Sequence, residues 1–269
     1  MTIEALLSYL LDRYPVEQAE SWDHVGLSAG DPHAEVTGVL VALDASAEAV
    51  RRAADLGANV LVTHHPVYIS APKSFTPAPD TEHNAAGAAV FEAIRRGVSI
   101  ISLHTNLDRD PEARNHLASL LGATPEGSFE HPDDAALPGL GSVGVIPTTT
   151  LGDVARLAAN AFSSDPRVWG PPERSVRRIA VLGGSLGDLA ELALSSHVDA
   201  VICGEAGYHV CQDLWLRGCS VVLLGHDRSE QPFVDILSKA VASAGIDPSS
   251  IATMECPRQW WTTYEGERA

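Results

Sequence analysis

This sequence predicts an α/β fold made of two similar halves with mostly parallel strands. Three observations predict it. Runs such as "GVLVALD" (38–44) and "NVLVTHH" (59–65) are Val and Leu for most of their length, as strands buried on both faces must be. Helical segments separate these runs, the alternation that builds parallel sheets. The order strand, helix, strand, helix, strand then recurs after residue 177, at a spacing far longer than a solenoid repeat.

The chain opens on "MTIEALLSYLLDRYP", an amphipathic helix capped by Thr2 and stopped before Pro15. It carries Glu4 early and no basic stretch, so it does not read as a secretory leader. "SWDHVGL" (21–27) is non-helical. The strand at 38–44 leads into a helix from about Ser46 to Gly57. The strand at 59–65 precedes a Pro-rich loop and a helix from about Asn84 to Gly97, and "SIISLHTNLD" (99–108) follows. Asp110 as N-cap and Pro111 at the first helical position start a helix that ends at Gly122.

"EGSFEHPDDAALPGLGSVGVIP" is turn-rich, with a short strand around Val143–Ile146. Thr150 with Asp153 opens another helix, and "SSDPRVWGPPERS" reads as a linker. "RIAVLGG" (178–184) precedes a helix with a capping signal at Ser185 and Asp188. "DAVICGE" (199–205) precedes a helix ending near Gly218, "SVVLLGHDRSE" (220–230) completes the recurrence, and "MECPRQWWTTYEGERA" reads as a closing strand and a tail. The expected bounds are 1–125 for the first half, 126–177 for a connecting segment without a large inserted domain, and 178–269 for the second half.

A formal charge of −17 and the lack of any Lys/Arg-rich run exclude a broad nucleic-acid footprint. No apolar run reaches the roughly 20 residues that a bilayer crossing requires. Cys203, Cys211, Cys219 and Cys256 form no C-x-x-C pair, which excludes a zinc knuckle or a thioredoxin motif; reduced thiols in a cytoplasmic protein are expected.

Parallel α/β sheets place functional groups at the carboxyl ends of their strands. Collected there are His64, His65, His104 and Asp108 from the first half and His226 and Glu230 from the second, all nitrogen or oxygen donors. If both halves turn these ends toward one cleft, the set can hold two divalent metal ions bridged by a carboxylate and water. Neighbouring side chains in extended backbone point to opposite sides, so His64 and His65 serve two ions more readily than one. Ser229 and Pro232 mark a helix start that puts Glu230 in a first turn. Without a thiolate in the set, zinc, iron, manganese, cobalt and nickel are not distinguished.

Other stretches carry weaker signals. The glycines and Ser185 of "LGGSLGD" stand where a turn can either cradle an anion or simply join strand to helix. Trp22 of "SWDHVGL" reads as a core or interface anchor. Glu205, Tyr208 and His209 of "GEAGYHV" are placed to line the cleft without serving as ligands. His33, His83, His116, His131 and His197 read as surface or hydrogen-bonded residues.

Taken in order, "SWDHVGL", "VALDAS", "VTHHPV", "HTNLD", "GGS", "GEAGYH" and "GHDRSE" resemble the Nif-three-like dinuclear-metal proteins, also called GTP cyclohydrolase 1 type 2 homologues. The motifs run from about residue 21 to 230. The resemblance implies a two-metal site between two similar α/β halves, with His64, His65, Asp108, His226 and Glu230 as ligands and His104 as a nearby site residue. It also implies a toroidal homohexamer. The chain departs from the family pattern at Ser142, Gly207 and His24, where relatives carry Arg, Lys and Asn; the first two departures remove basic groups that would hold an anionic substrate.

The expected function is metal-dependent hydrolysis of a small-molecule substrate by an activated water, with His104 or Glu230 carrying protons. The alternative is a non-catalytic protein that stores, delivers or senses metal. No nucleic-acid or membrane partner is expected.

Overall fold

The apolar runs become short strands with every residue buried, and polar caps set where the helices between them begin. In the computed structural model, which describes residues 1–79, 84–258 and 260, the first set of elements is α1 (Ile3–Arg13), β1 (Gly26–Ala29), β2 (Val39–Ala42), α2 (Ala47–Asp55) and β3 (Val60–Thr63). It continues with α3 (Ala85–Arg96), β4 (Ser99–Ser102), the single turn α4 (Thr105–Asp108) and α5 (Pro111–Ser119). β5 (Thr124–Gly127) and β6 (Ser142–Thr150) follow. The order then repeats as α6 (Leu151–Ala161), β7 (Arg167–Trp169), β8 (Ser175–Val181), α7 (Ala190–Ser195) and β9 (Ala200–Cys203). α8 (Tyr208–Leu216), β10 (Ser220–Leu223), α9 (His226–Glu230) and α10 (Pro232–Ser243) complete the second set, and β11 (Ile251–Thr253) ends the strands. Side chains of Thr2, Ser46, Asn84, Asp110 and Thr150 accept from backbone N–H groups in the first turns of α1, α2, α3, α5 and α6.

The duplication holds in space as well as in sequence. The first sheet contains β1-β4-β3-β2 and the second β7-β10-β9-β8. In each, the three inner strands are parallel and an antiparallel strand covers the same edge. Each half then contributes to the other. β11 pairs in parallel with β2 of the first sheet, while β5 and β6 extend the second sheet beside β8. Helices follow the same exchange, with α10 packed on β2 and β3 and α5 on β6 and β8.

Three layers of helices enclose the two sheets. α2 and α3 cover the outer face of the first sheet through Val50, Ala53 and Ala89, against Leu40, Leu61 and Ile100. α7 and α8 cover the outer face of the second through Ala193, Cys211 and Leu214, against Val201 and Val221. Between the sheets lie α1, α5, α6 and α10, whose Leu6, Leu10, Leu117, Val154, Phe233 and Leu237 meet Val41, Val62, Ile101, Ile179, Ile202 and Val222. All four cysteines are buried and free.

Several elements differ from the expectation. The strand at Val143–Ile146 is the nine-residue β6, and the stretch read as a linker contains β7. The connecting segment 126–177 thus supplies strands to the second sheet, and the closing strand, expected from Met254 onward, lies earlier at Ile251–Thr253 and crosses to the first. α7 is not capped by Ser185: Gly187 takes φ +50°, the Ser185 hydroxyl accepts from its N–H at 3.2 Å, and the helix starts at Ala190. Glu230 ends α9 instead of opening a helix, because Pro232 at N1 starts α10. His83 and the tail from Trp261 lie outside the described residues.

Arg114 of α5 is almost wholly buried. It donates to the carbonyls of Gly127, Ala135 and Leu137, tying the long loop before β6 to the core. Arg114→Leu leaves these acceptors unpaired and is expected to cost about 2–4 kcal/mol in urea unfolding, whereas a loss below about 0.5 kcal/mol would show that the loop holds itself.

Candidate metal centre

Strand register brings the donors together. Ala42, Thr63 and Ser102 stand side by side at the ends of β2, β3 and β4. Two residues further on, Asp44, His65 and His104 emerge in a row, and His65 Nδ1 donates to Asp44 Oδ1 at 2.8 Å. Past the ends of β8 and β9 in the second sheet Ser185 pairs with Glu205, with Glu205 N–H donating to Gly184 O at 3.0 Å and Gly225 N–H to Gly204 O at 2.8 Å. One sheet presents side chains; the other leaves space. α9 fills that space with His226 and Glu230.

The space is close-fitting. Gly184 has φ +61°, and a Cβ there would lie 2.4 Å from Glu230 Oε1 and 3.2 Å from His226 Nε2. A Cβ at Gly183 would lie 2.8 Å from Glu230 Cγ. Ser229 Oγ accepts from Gly184 N–H at 2.9 Å, Glu205 O accepts from Leu186 N–H and Ser185 Oγ from Gly187 N–H. The amides of Gly184, Leu186 and Gly187 are thus spent within the protein, which favours the plain strand-to-helix turn over an anion cradle, and the glycines make room for the α9 side chains.

Glu230 is the centre of the cluster. It is 3% exposed, with Oε2 2.8 Å from His65 Nε2 and 3.2 Å from His226 Nε2. His64 is fully buried, and its Nδ1–H donates to Leu103 O, 3.0 Å away. Its Nε2 has no hydrogen-bond partner among the described residues, yet Glu230 Oε1 stands 3.6 Å away and Asp108 Oδ1 3.7 Å. These separations are too long for hydrogen bonds and suit donors that share a cation. His64, Asp108 and Glu230 offer donor atoms within 4.8 Å of one another, as do His65, His226 and Glu230, and also His64, His65 and His104.

Each imidazole is also fixed from behind. Besides Asp44 on His65 and the Leu103 carbonyl on His64, Glu205 Oε1 lies 3.0 Å from His226 Nδ1 and Asp23 Oδ1 2.9 Å from His104 Nδ1. Such partners orient a ligating histidine and free its other nitrogen. Thr105 holds the remaining Asp23 oxygen through its hydroxyl and its N–H. Sequence reasoning missed Asp23 and Asp44 and gave Glu205 no contact, although Asp44 ends a strand and the strand-end rule points to it. Trp22 is no core anchor: it is 51% exposed and meets His104 edge-on at 5.9 Å. Tyr208 is exposed and meets His209 edge-on, with ring centroids 5.2 Å apart.

The charges follow from this packing. Burial opposes a charged His65, but hydrogen bonds to Asp44 and Glu230 outweigh it and push the ring up to about 10. The bond to Glu230 pushes His226 up to about 9. Burial holds His64 below the usual range. Burial and the nearby Glu230 charge raise Asp108 to about 7. Glu230 stays well below the carboxylate range despite its burial, because His226, His64 and His65 surround it.

An α/β protein of two similar halves with a cluster of histidine and carboxylate donors between them is the class that the fold and the site define. The family model Duf34/NIF3 (NGG1p interacting factor 3) matches residues 1–255. The chain belongs to that family. It is 36% identical over 203 residues to a Streptomyces coelicolor protein named GTP cyclohydrolase 1 type 2 homolog, covering 73% of this chain and 70% of that one. A Clostridium acetobutylicum protein of the same name is 27% identical over 248 residues, 91% of each chain. Among solved structures, a Bacillus cereus protein related to NIF3 superposes with a TM-score of 0.85 at 20% identity, covering 97% of this chain and 99% of that one. Reduced HcgD from Methanocaldococcus jannaschii gives 0.75 at 20%, covering 95% and 98%.

Gly184→Ala displaces the Glu230 carboxylate and is expected to weaken metal uptake by roughly tenfold or more with circular dichroism unchanged; wild-type uptake would show that the carboxylate can move aside. The metal-free site carries protons on His65 and His226 at neutral pH, and metals take the deprotonated forms. Affinity should therefore rise as pH climbs from about 6 to about 9, with proton release seen as buffer-dependent heat in calorimetry, and pH-independent binding would contradict these charges.

Proposed function

We propose that the cluster holds two divalent ions sharing the Glu230 carboxylate, one with His65 and His226 and the other with His64 and Asp108, and that the protein is a metal-dependent hydrolase. The observation that carries this reading is the sharing itself: two of the three donor triads contain Glu230, and His64 Nε2, a buried nitrogen without a hydrogen-bond partner among the described residues, stands 3.6 Å from its Oε1. When bound, such a pair of ions makes water acidic and steadies the negative charge left by its attack.

The chain's own residues supply the rest. Asp23 fixes the His104 tautomer with its proton on Nδ1, so Nε2 is the atom that takes a proton from water and returns it to the leaving group. Oxygen adds to the carbonyl carbon or phosphorus, the bond to the leaving nitrogen or oxygen breaks, and that proton completes the new N–H or O–H. Glu230, enclosed by three imidazoles, is assigned to holding ions and not to proton transfer. Purine ring opening, which the relatives' name evokes, and amide, ester or phosphoester hydrolysis all fit this chemistry.

A second reading, metal storage or delivery, draws support from a cavity of about 600 Å³ beside His65 and His226 that is edged by Asp44, Asp165, Glu205 and Asp227. Four carboxylates on one cavity attract cations. A homohexameric toroid is proposed from the family resemblance, with light scattering as its check.

Metal-loaded protein is expected to turn over at least one of these substrate classes. His104→Gln should lower kcat by roughly a hundredfold while retaining its metal. Fast metal transfer to an apo-acceptor with no turnover of any class would replace the hydrolase by the delivery protein.

A further inference from the structure

The donor cluster has a second opening. A cavity of about 650 Å³, sharing His226 with the acidic cavity but otherwise lined by different residues, reaches His104, Asp108 and Glu230. Its wall is built from Leu140, Leu182, Leu186, Leu189 and Phe233, and two large apolar side chains on it, Trp22 and Ile69, are 51% and 44% exposed. A concave, largely apolar chamber of this size ending on convergent polar groups is the usual form of a small-molecule pocket.

Its charges are as informative as its shape. The one guanidinium on the wall is Arg114, and its donors are committed to the carbonyls of Gly127, Ala135 and Leu137 and to Asn115, with Nε wholly buried. The glycine turn beside α7 spends the amides of Gly184, Leu186 and Gly187 internally. Asp188 and Glu20 add negative charge, Glu20 already paired with Arg109. On the acidic cavity four carboxylates face Arg167. Apart from the ions the cluster itself would hold, the described side chains lining the two cavities supply a polyanion with little counter-charge, since Arg114 is committed and Arg167 stands among four carboxylates.

We propose that the apolar cavity is the ligand pocket of the cluster, and that it takes an uncharged carbonyl compound bearing an apolar or aromatic group, not a nucleoside triphosphate. The carbonyl meets the donor cluster at His104 and Asp108, and the apolar group lies among Trp22, Ile69 and Leu189. This proposal rests on the metal reading above.

The test uses the full chain loaded with zinc and two probes that share one chelating group, acetohydroxamate and benzohydroxamate. The metal contributes equally to both, so their affinity ratio in titration calorimetry reads the pocket alone. Benzohydroxamate is expected to bind tighter by roughly tenfold or more, because its ring leaves water for an apolar wall. Trp22→Ala and Ile69→Asp, both at exposed side chains, should each lower that ratio while zinc content stays at the wild-type level. GTP in excess should not displace benzohydroxamate. Equal affinities on zinc-loaded protein, as when a second copy of the chain covers Trp22 and Ile69, or displacement by GTP, would overturn the pocket. Failure to take up zinc would instead overturn the metal reading beneath it.

Discussion

The carboxylate of Glu230 lies among the rings of His64, His65 and His226, and the two halves of the chain meet on it. Burying an unpaired carboxylate costs several kcal/mol, so this arrangement persists only because cationic or metal-bound partners surround the charge. The rest of the molecule serves that requirement. β2, β3 and β4 deliver Asp44, His65 and His104 in register, and the second sheet continues into Gly183 and Gly184, which leave room for Glu230. The exchange of α5 and α10 between halves locks the sheets into the spacing that lets α9 reach across.

Much of this was legible in the sequence because the physics is local. Buried parallel strands need apolar runs, and the runs at 39–42, 60–63, 99–102, 200–203 and 220–223 are strands with every residue buried. Strand-end histidines and carboxylates stand out against such runs, which is why His64, His65, Asp108, His226 and Glu230 could be collected before any coordinates. What was not legible depends on long-range pairing. β7 has only three residues and exists because β10 pairs with it. β11 belongs to the first sheet although it follows the second half, and no local pattern encodes that crossing.

The partners behind the histidines were missed for the same reason. Asp23 meets His104 across 81 positions, and nothing near "SWDH" announces the contact. The glycines of "LGGSLGD" look like a phosphate turn in sequence and prove to be clearance for Glu230 once their neighbours are known. Seen together, the two cavities give the cluster two unlike faces: one acidic and suited to cations, the other apolar and suited to an organic ligand.

The central claim is that one carboxylate serves both ions. Its most direct test is metal content per chain, by mass spectrometry on protein purified without a polyhistidine tag, for wild type beside Glu230→Gln. Replacing the carboxylate removes the shared donor from the two triads that contain it, so about two equivalents should fall toward none while the fold persists. Loss of a single equivalent would assign Glu230 to one ion, and no loss would remove it from the centre altogether.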